Sequence, residues 1–248
     1  MRLQLEREGA GFRVLRRIGY RDRHHDAPFL VPADPEHFRT DLASIPWVFA
    51  WLVPGLGSHL PAVLVHDGLV VRSGEGKTHV GPDVDREEAD RILRDAMADL
   101  GTPVIRRWLM WTGVTLATAV SALRPRAYWA SVVVGTLTLL AVFGVIATLD
   151  LVDVWDVLPW MSGRPWSVEL AGGAVFAVLV PLLLSALWRR LWKAGAIAGV
   201  SLALLLHVTV AVAVVYGVYW LAERLVSAPE GAGPDVRKNL EETATSPG

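Results

Sequence analysis

Asp41, His66, Asp67 and Asp90 are the side chains of this sequence whose types could gather around one divalent ion. An imidazole with carboxylates suits zinc, manganese or iron, and a metal so held lowers the pKa of its bound water until it is a nucleophile at neutral pH. On that hydrolytic reading His66, Asp67 and Asp90 are the metal ligands, and Asp41, Ser44, His66 and Asp67 are the catalytic groups. A nucleophilic Ser44 assisted by His66 is a variant of the same class, although Ser44-Ile-Pro46 lacks the glycine-flanked turn of a nucleophile elbow. The opposing reading needs no reaction. A buried carboxylate or imidazole is costly without a partner, so Asp41, Asp67 and Asp90 can instead pair with Arg86, Arg91 and backbone amides and lock the fold of an interaction or assembly module. This structural reading is preferred, because ion-pair networks perturb titration as readily as active sites do.

Positioning these residues requires an α+β domain. Leu3-Gln-Leu-Glu6 and Phe12 to Tyr20 alternate apolar with charged or polar residues around a Gly-Ala-Gly turn at 9–11, which predicts a hairpin, and Phe29-Leu-Val31 fits a further short strand. Pro61 to Val71 is apolar on nearly every side, which predicts a buried helix with proline in its first turn and places His66 and Asp67 inside a core. A second helix is marked by Asp85 as N-cap, Glu88 three residues on as a capping box, apolar Ala89, Ile92, Leu93, Ala96, Met97 and Leu100, and Gly101 as terminator. Asp90 flanks its apolar face. His24, His25 and Asp26 lie in the polar connection between strands, where they are expected to be solvated and without a role.

Thr40-Asp-Leu-Ala-Ser-Ile-Pro46, the small-apolar run into His66-Asp67, and Arg86-Glu-Glu-Ala-Asp-Arg91 occur in this order at compatible separations. Together they resemble the phage-associated domain of unknown function 1353 family over about residues 10–115. The resemblance implies a small module carried by phage, prophage and bacterial genomes, and it implies no reaction.

The remainder of the chain has a different character. A mean hydropathy of +0.38 with 52% hydrophobic residues is too apolar for one ordinary soluble domain. Uncharged runs of 23, 19 and 29 residues, at 127–149, 170–188 and 194–222, are near or above the roughly 20 residues that span a bilayer core as a helix. They predict three transmembrane helices over 125–223, between a soluble domain at 1–124 and a disordered tail at 224–248. Tyr128, Trp129, Trp155, Trp160, Trp166, Trp188, Trp192, Tyr219 and Trp220 fall at the expected interfaces. Arg124, Arg126, Arg189, Arg190 and Lys193 outnumber the single Arg164 of the 150–168 loop, which predicts a multi-pass protein of the cell membrane with its N-terminal domain in the cytoplasm. Trp108–Leu123 is too short for a span and is read as the closing helix of the soluble domain, lying on the membrane surface.

Within the spans, Gly195-Ala-Ile-Ala-Gly199 permits close approach of two helices and a homo-oligomer through them, and His207 is expected to be neutral and hydrogen-bonded to a neighbouring helix. The 24 Lys and Arg against 25 Asp and Glu leave no field to attract a polyphosphate, so nucleic acid is not an expected partner. With no cysteine, disulfides, thiolate metal sites and cysteine nucleophiles are excluded.

Overall fold

The computed structural model describes residues 3–8, 11–40, 42, 57–70, 77–161 and 163–226. Asp41 and Ser44 lie outside them, as does the tail from Ser227. The chain divides into two compact units, Met1–Leu206 and His207–Gly248.

Two small antiparallel sheets open the first unit. β1 (Leu5–Glu8) and β2 (Gly11–Val14) form the expected hairpin, and β5 (Arg39–Thr40) adds to β2 with Phe12 opposite Thr40. β3 (Ile18–Tyr20) pairs instead with β4 (Phe29–Val31), Ile18 opposite Val31. The alternating run from Phe12 to Tyr20 is therefore broken. Arg17 stands at the break and donates to the carbonyls of Pro32 and Ala33 at 3.2 and 2.5 Å, satisfying backbone that a continuous ladder would have used.

α1 (Leu60–Leu69) carries Pro61 in its first turn and buries Leu60, Ala62, Val63, Leu64, Val65 and Leu69, as its all-round apolar sequence requires. Leu60, Leu64, Val65 and Leu69 join Val14, Ile18, Phe29 and Val31 in one core. Gly68 is what lets the helix lie so close to β4, since a Cβ there would overlap Val31. α2 (Arg86–Asp99) starts where the sequence predicts, with the Asp85 side chain accepting from the Glu88 amide at 2.8 Å. The reciprocal half of the capping box does not form, because the Glu88 carboxylate binds Arg91. Gly101 ends the helix at φ +71°, a left-handed conformation that glycine adopts without strain.

α3 (Val104–Ser121) is longer than the 16 uncharged residues suggested and begins before Arg106 and Arg107. Its Met110 and Val114 pack on the cluster of Ala62, Val63, Leu93, Ala96 and Met97, while Ala119 joins Leu123, Trp129, Val133, Trp188 and Leu191 in another. One helix thus bridges the α+β core and the apolar helices that follow.

Two helical stretches are long and apolar enough to cross a membrane, α4 (Arg126–Leu151) and Trp166–Val226. The second is not one rod. It comprises α5 (Trp166–Leu184), a 3-10 turn (Ser185–Leu191) and α6 (Trp192–Val226), with a break at Arg189 (φ 49°, ψ −120°). A Cβ on Gly199 would come within 2.7 Å of Pro181 Cβ and 2.9 Å of Leu140. Eighteen residues of straight helix would separate Gly199 from Pro181 by about 27 Å, so α6 folds back on α5 at Arg189. Gly195 faces Trp188 of the turn instead of a facing helix. In the second unit, Arg224 lies 3.9 Å from the centre of the Trp220 ring.

Candidate functional site

α1 carries His66 and Asp67 side by side, and neighbouring residues on a helix point about 100° apart. His66 accordingly turns to α2, where its Nε2 lies 2.8 Å from Asp90 Oδ1. Asp67 turns to the sheet, where its Oδ2 accepts from Thr40 Oγ1 at 2.6 Å. The same hydroxyl accepts from the Leu42 amide at 3.0 Å. These bonds join the three sequence motifs, since Thr40 opens the first, His66-Asp67 is the second and Asp90 belongs to the third.

The divergence has a consequence for metal binding. Among the described residues, His66, Asp67 and Asp90 are not a set whose ligand atoms all lie within 4.8 Å of one another. The expected ligand set of His66, Asp67 and Asp90 is thus not gathered in this arrangement, because successive helical side chains diverge. Two features of the site remain chemically notable. Asp90 is 2% exposed and its Oδ2 has no hydrogen-bond partner among the described residues. Leu42, between Asp41 and Ser44 in sequence, has φ +60°, a left-handed backbone that a branched side chain adopts only when its surroundings impose it.

The strongest electrostatic centre lies elsewhere, around Arg91 on α2. Its guanidinium donates to Asp22 at 2.7 and 3.1 Å, to Glu88 at 2.7 and 3.0 Å and to Asp95 at 2.8 Å. His25 Nδ1 lies 2.9 Å from Asp22, which also accepts from the His24 amide. Burial by itself would push the Asp22 carboxyl up, but Arg91, His25 and that amide outweigh it and hold it well below the usual carboxylate range. The hydrogen bond to Glu88 raises Arg91 further above its ordinary value, burial opposes this, and Asp22 reinforces it. Asp22, His25 and Glu88 have ligand atoms within 4.8 Å of one another, yet a guanidinium already occupies both carboxylates.

Arg91 is therefore a pairing residue, with partners other than Asp67 and Asp90. Arg86 does not meet those carboxylates either; it reaches Ser121 Oγ on α3 at 3.5 Å, a weak contact. Sequence reasoning overlooked Asp22 and gave His25 no role. Glu88 and Asp95 stand three residues before and four after Arg91, a helical spacing that does predict contact. Asp22 is 69 residues away and left no local signal. His25 is also no solvated bystander, since it stacks edge-on against Phe29 with ring centres 5.1 Å apart.

The profile of the family described as "Protein of unknown function (DUF1353)" matches residues 12–114, from β2 into α3. No curated protein and no solved structure matches the chain.

Proposed function

We propose, from the match of residues 12–114 to the DUF1353 family, that the chain is a membrane-seated interaction or assembly module, of the phage-related kind, whose polar cluster holds its fold together. The observation that carries this reading is the pairing of the cluster's charged groups with one another. Arg91 binds three carboxylates, His66 binds Asp90 and Thr40 binds Asp67, so these groups join α1, α2 and the strands to one another. Buried networks of this kind can specify one packing without catalysing anything.

Support for the membrane seat comes from the apolar side chains of α4–α6. Leu183 of the first unit is 75% exposed and Val215 of the second 69%, and large apolar side chains left this open along a helix are what a bilayer covers and water does not. The reversal at Arg189 favours reading α5 and α6 as separate spans, three in all with α4. The arginines at 124, 126, 189 and 190 favour a cytoplasmic N-terminal domain.

A metal-dependent hydrolase is the second reading, favoured by the unpartnered Asp90 Oδ2 beside His66 and by the left-handed backbone at Leu42. Asp41 would have to complete its ligand set.

Metal analysis of the full chain, purified in detergent without a chelating tag, separates the two. The structural reading expects no stoichiometric metal and a loss of roughly 3 kcal/mol of stability in His66→Ala, which leaves Asp90 buried without its partner. Near-stoichiometric metal that disappears in a folded His66→Ala or Asp67→Asn protein would overturn it in favour of the hydrolase.

A further inference from the structure

Three arginines meet where α4 begins and α5 turns into α6. Arg124, Arg189 and Arg190 line one cavity of about 260 Å³ together with Pro125, Tyr128 and Trp129. Arg190 is engaged: it binds Glu87 through two bonds of 2.8 and 2.9 Å and lies over the Trp129 ring at 5.5 Å. Arg124 and Arg189 are exposed, and among the described residues neither guanidinium has a hydrogen-bonded or ionic partner. Glu87 neutralises one of the three charges, so the cavity presents two.

Its walls are fixed from behind. Tyr128 Oη donates to the Leu187 carbonyl at 2.7 Å, and Trp129 is 3% exposed beneath. Arg189 has φ +49°, where glycine would be the least strained residue, yet the position carries a guanidinium. Guanidinium forks match phosphate oxygens in pairs, and tyrosine and tryptophan settle at headgroup depth.

We propose that this cavity binds the phosphate of an anionic phospholipid headgroup, with Arg124 and Arg189 on the phosphate oxygens. The proposal rests on the membrane reading above, which puts this end of the helices at the cytoplasmic surface, where basic pockets between helices meet anionic lipid. A zwitterionic headgroup would bring its own cation against the arginines and is disfavoured.

The test titrates the full chain in detergent micelles with dioctanoyl phosphatidylglycerol, dioctanoyl phosphatidylcholine and inorganic phosphate, followed by calorimetry. Phosphatidylglycerol is expected to bind at least tenfold more tightly than phosphatidylcholine. Arg124→Ala combined with Arg189→Gly, the second chosen to relieve the backbone, is expected to weaken it roughly 25-fold, about fivefold per arginine. Arg126→Ala, which alters a basic residue at the same helix end but outside the cavity, is expected to leave binding unchanged. Equal binding of the two lipids, an unaffected double variant, or inorganic phosphate binding as tightly as phosphatidylglycerol would each overturn the lipid assignment. Retention of the chain in alkaline-washed membranes beside any of these results would locate the failure here; release from them would overturn the membrane reading and the proposal together.

Discussion

Arg91 holds the domain's most consequential charge because of what it leaves behind when removed. Asp22 has a side chain 1% exposed, and without the guanidinium it becomes a buried carboxylate left with His25 and the His24 amide. Arg91→Met is expected to cost about 3 kcal/mol, measured by denaturation of the full chain in detergent, against under about 1 kcal/mol for loss of an exposed pair such as Lys77–Asp83. The pH dependence has a definite sign. The folded-state pKa of Asp22 is depressed, so its stabilisation is fully present above the unfolded value of roughly 4 and is lost as pH falls below it. In thermal melts, the gap between the unmodified chain and Asp22→Asn should be constant near neutrality and close in acid. A gap that persists at low pH would show that Asp22 contributes through packing or hydrogen bonds to its neutral form.

Among the elements, the seat of α1 on β4 is the tightest joint. A Cβ at Gly68 would fall 2.7 Å from Val31 Cγ2, and a side chain branched at Cβ and held by the strand cannot yield as a flexible tip would. Gly68→Ala is expected to cost roughly 1–3 kcal/mol from overpacking, even though alanine is the better helix former. Asp85→Ala removes the one side-chain bond that caps α2 and is expected to cost about 1 kcal/mol. Chemical denaturation of both variants tests the ranking. If Gly68→Ala were neutral, α1 would sit less closely on the strand than these distances state.

For the molecule as a whole, α3 and the Arg190–Glu87 pair connect the family domain to the apolar helices. Arg190 is 58% exposed and Glu87 31%, so the pair contributes orientation more than stability. The burial of Ala119, Leu123 and Trp129 in one cluster stabilises this junction more than the ion pair does. The proposed topology has a direct check. A reporter that fluoresces only in the cytoplasm, fused at Met1, should be active, and one active only outside should light up in the 150–168 loop. The opposite pattern would invert the orientation.

The sequence by itself determined what depends on neighbours in the chain. The apolar length of the later helices, the Asp85 cap, the Gly101 stop, the proline-led buried helix and the family motifs were all legible, because each is set by residue type at fixed local spacing. Glu88 and Asp95 stand at helical spacings from Arg91 that carry the same kind of local signal, although the sequence reading paired Arg91 with Asp41, Asp67 and Asp90 instead. Tertiary structure decided the rest. It divided Phe12–Tyr20 between two sheets, sent His66 to Asp90 and Asp67 to Thr40, and brought Asp22 to an arginine 69 residues away. It also folded α6 back on α5 at a left-handed arginine where no glycine or proline marks the bend. Such pairings depend on which elements pack together, and hydrophobic burial, being non-directional, leaves no spacing in the chain from which the choice can be read.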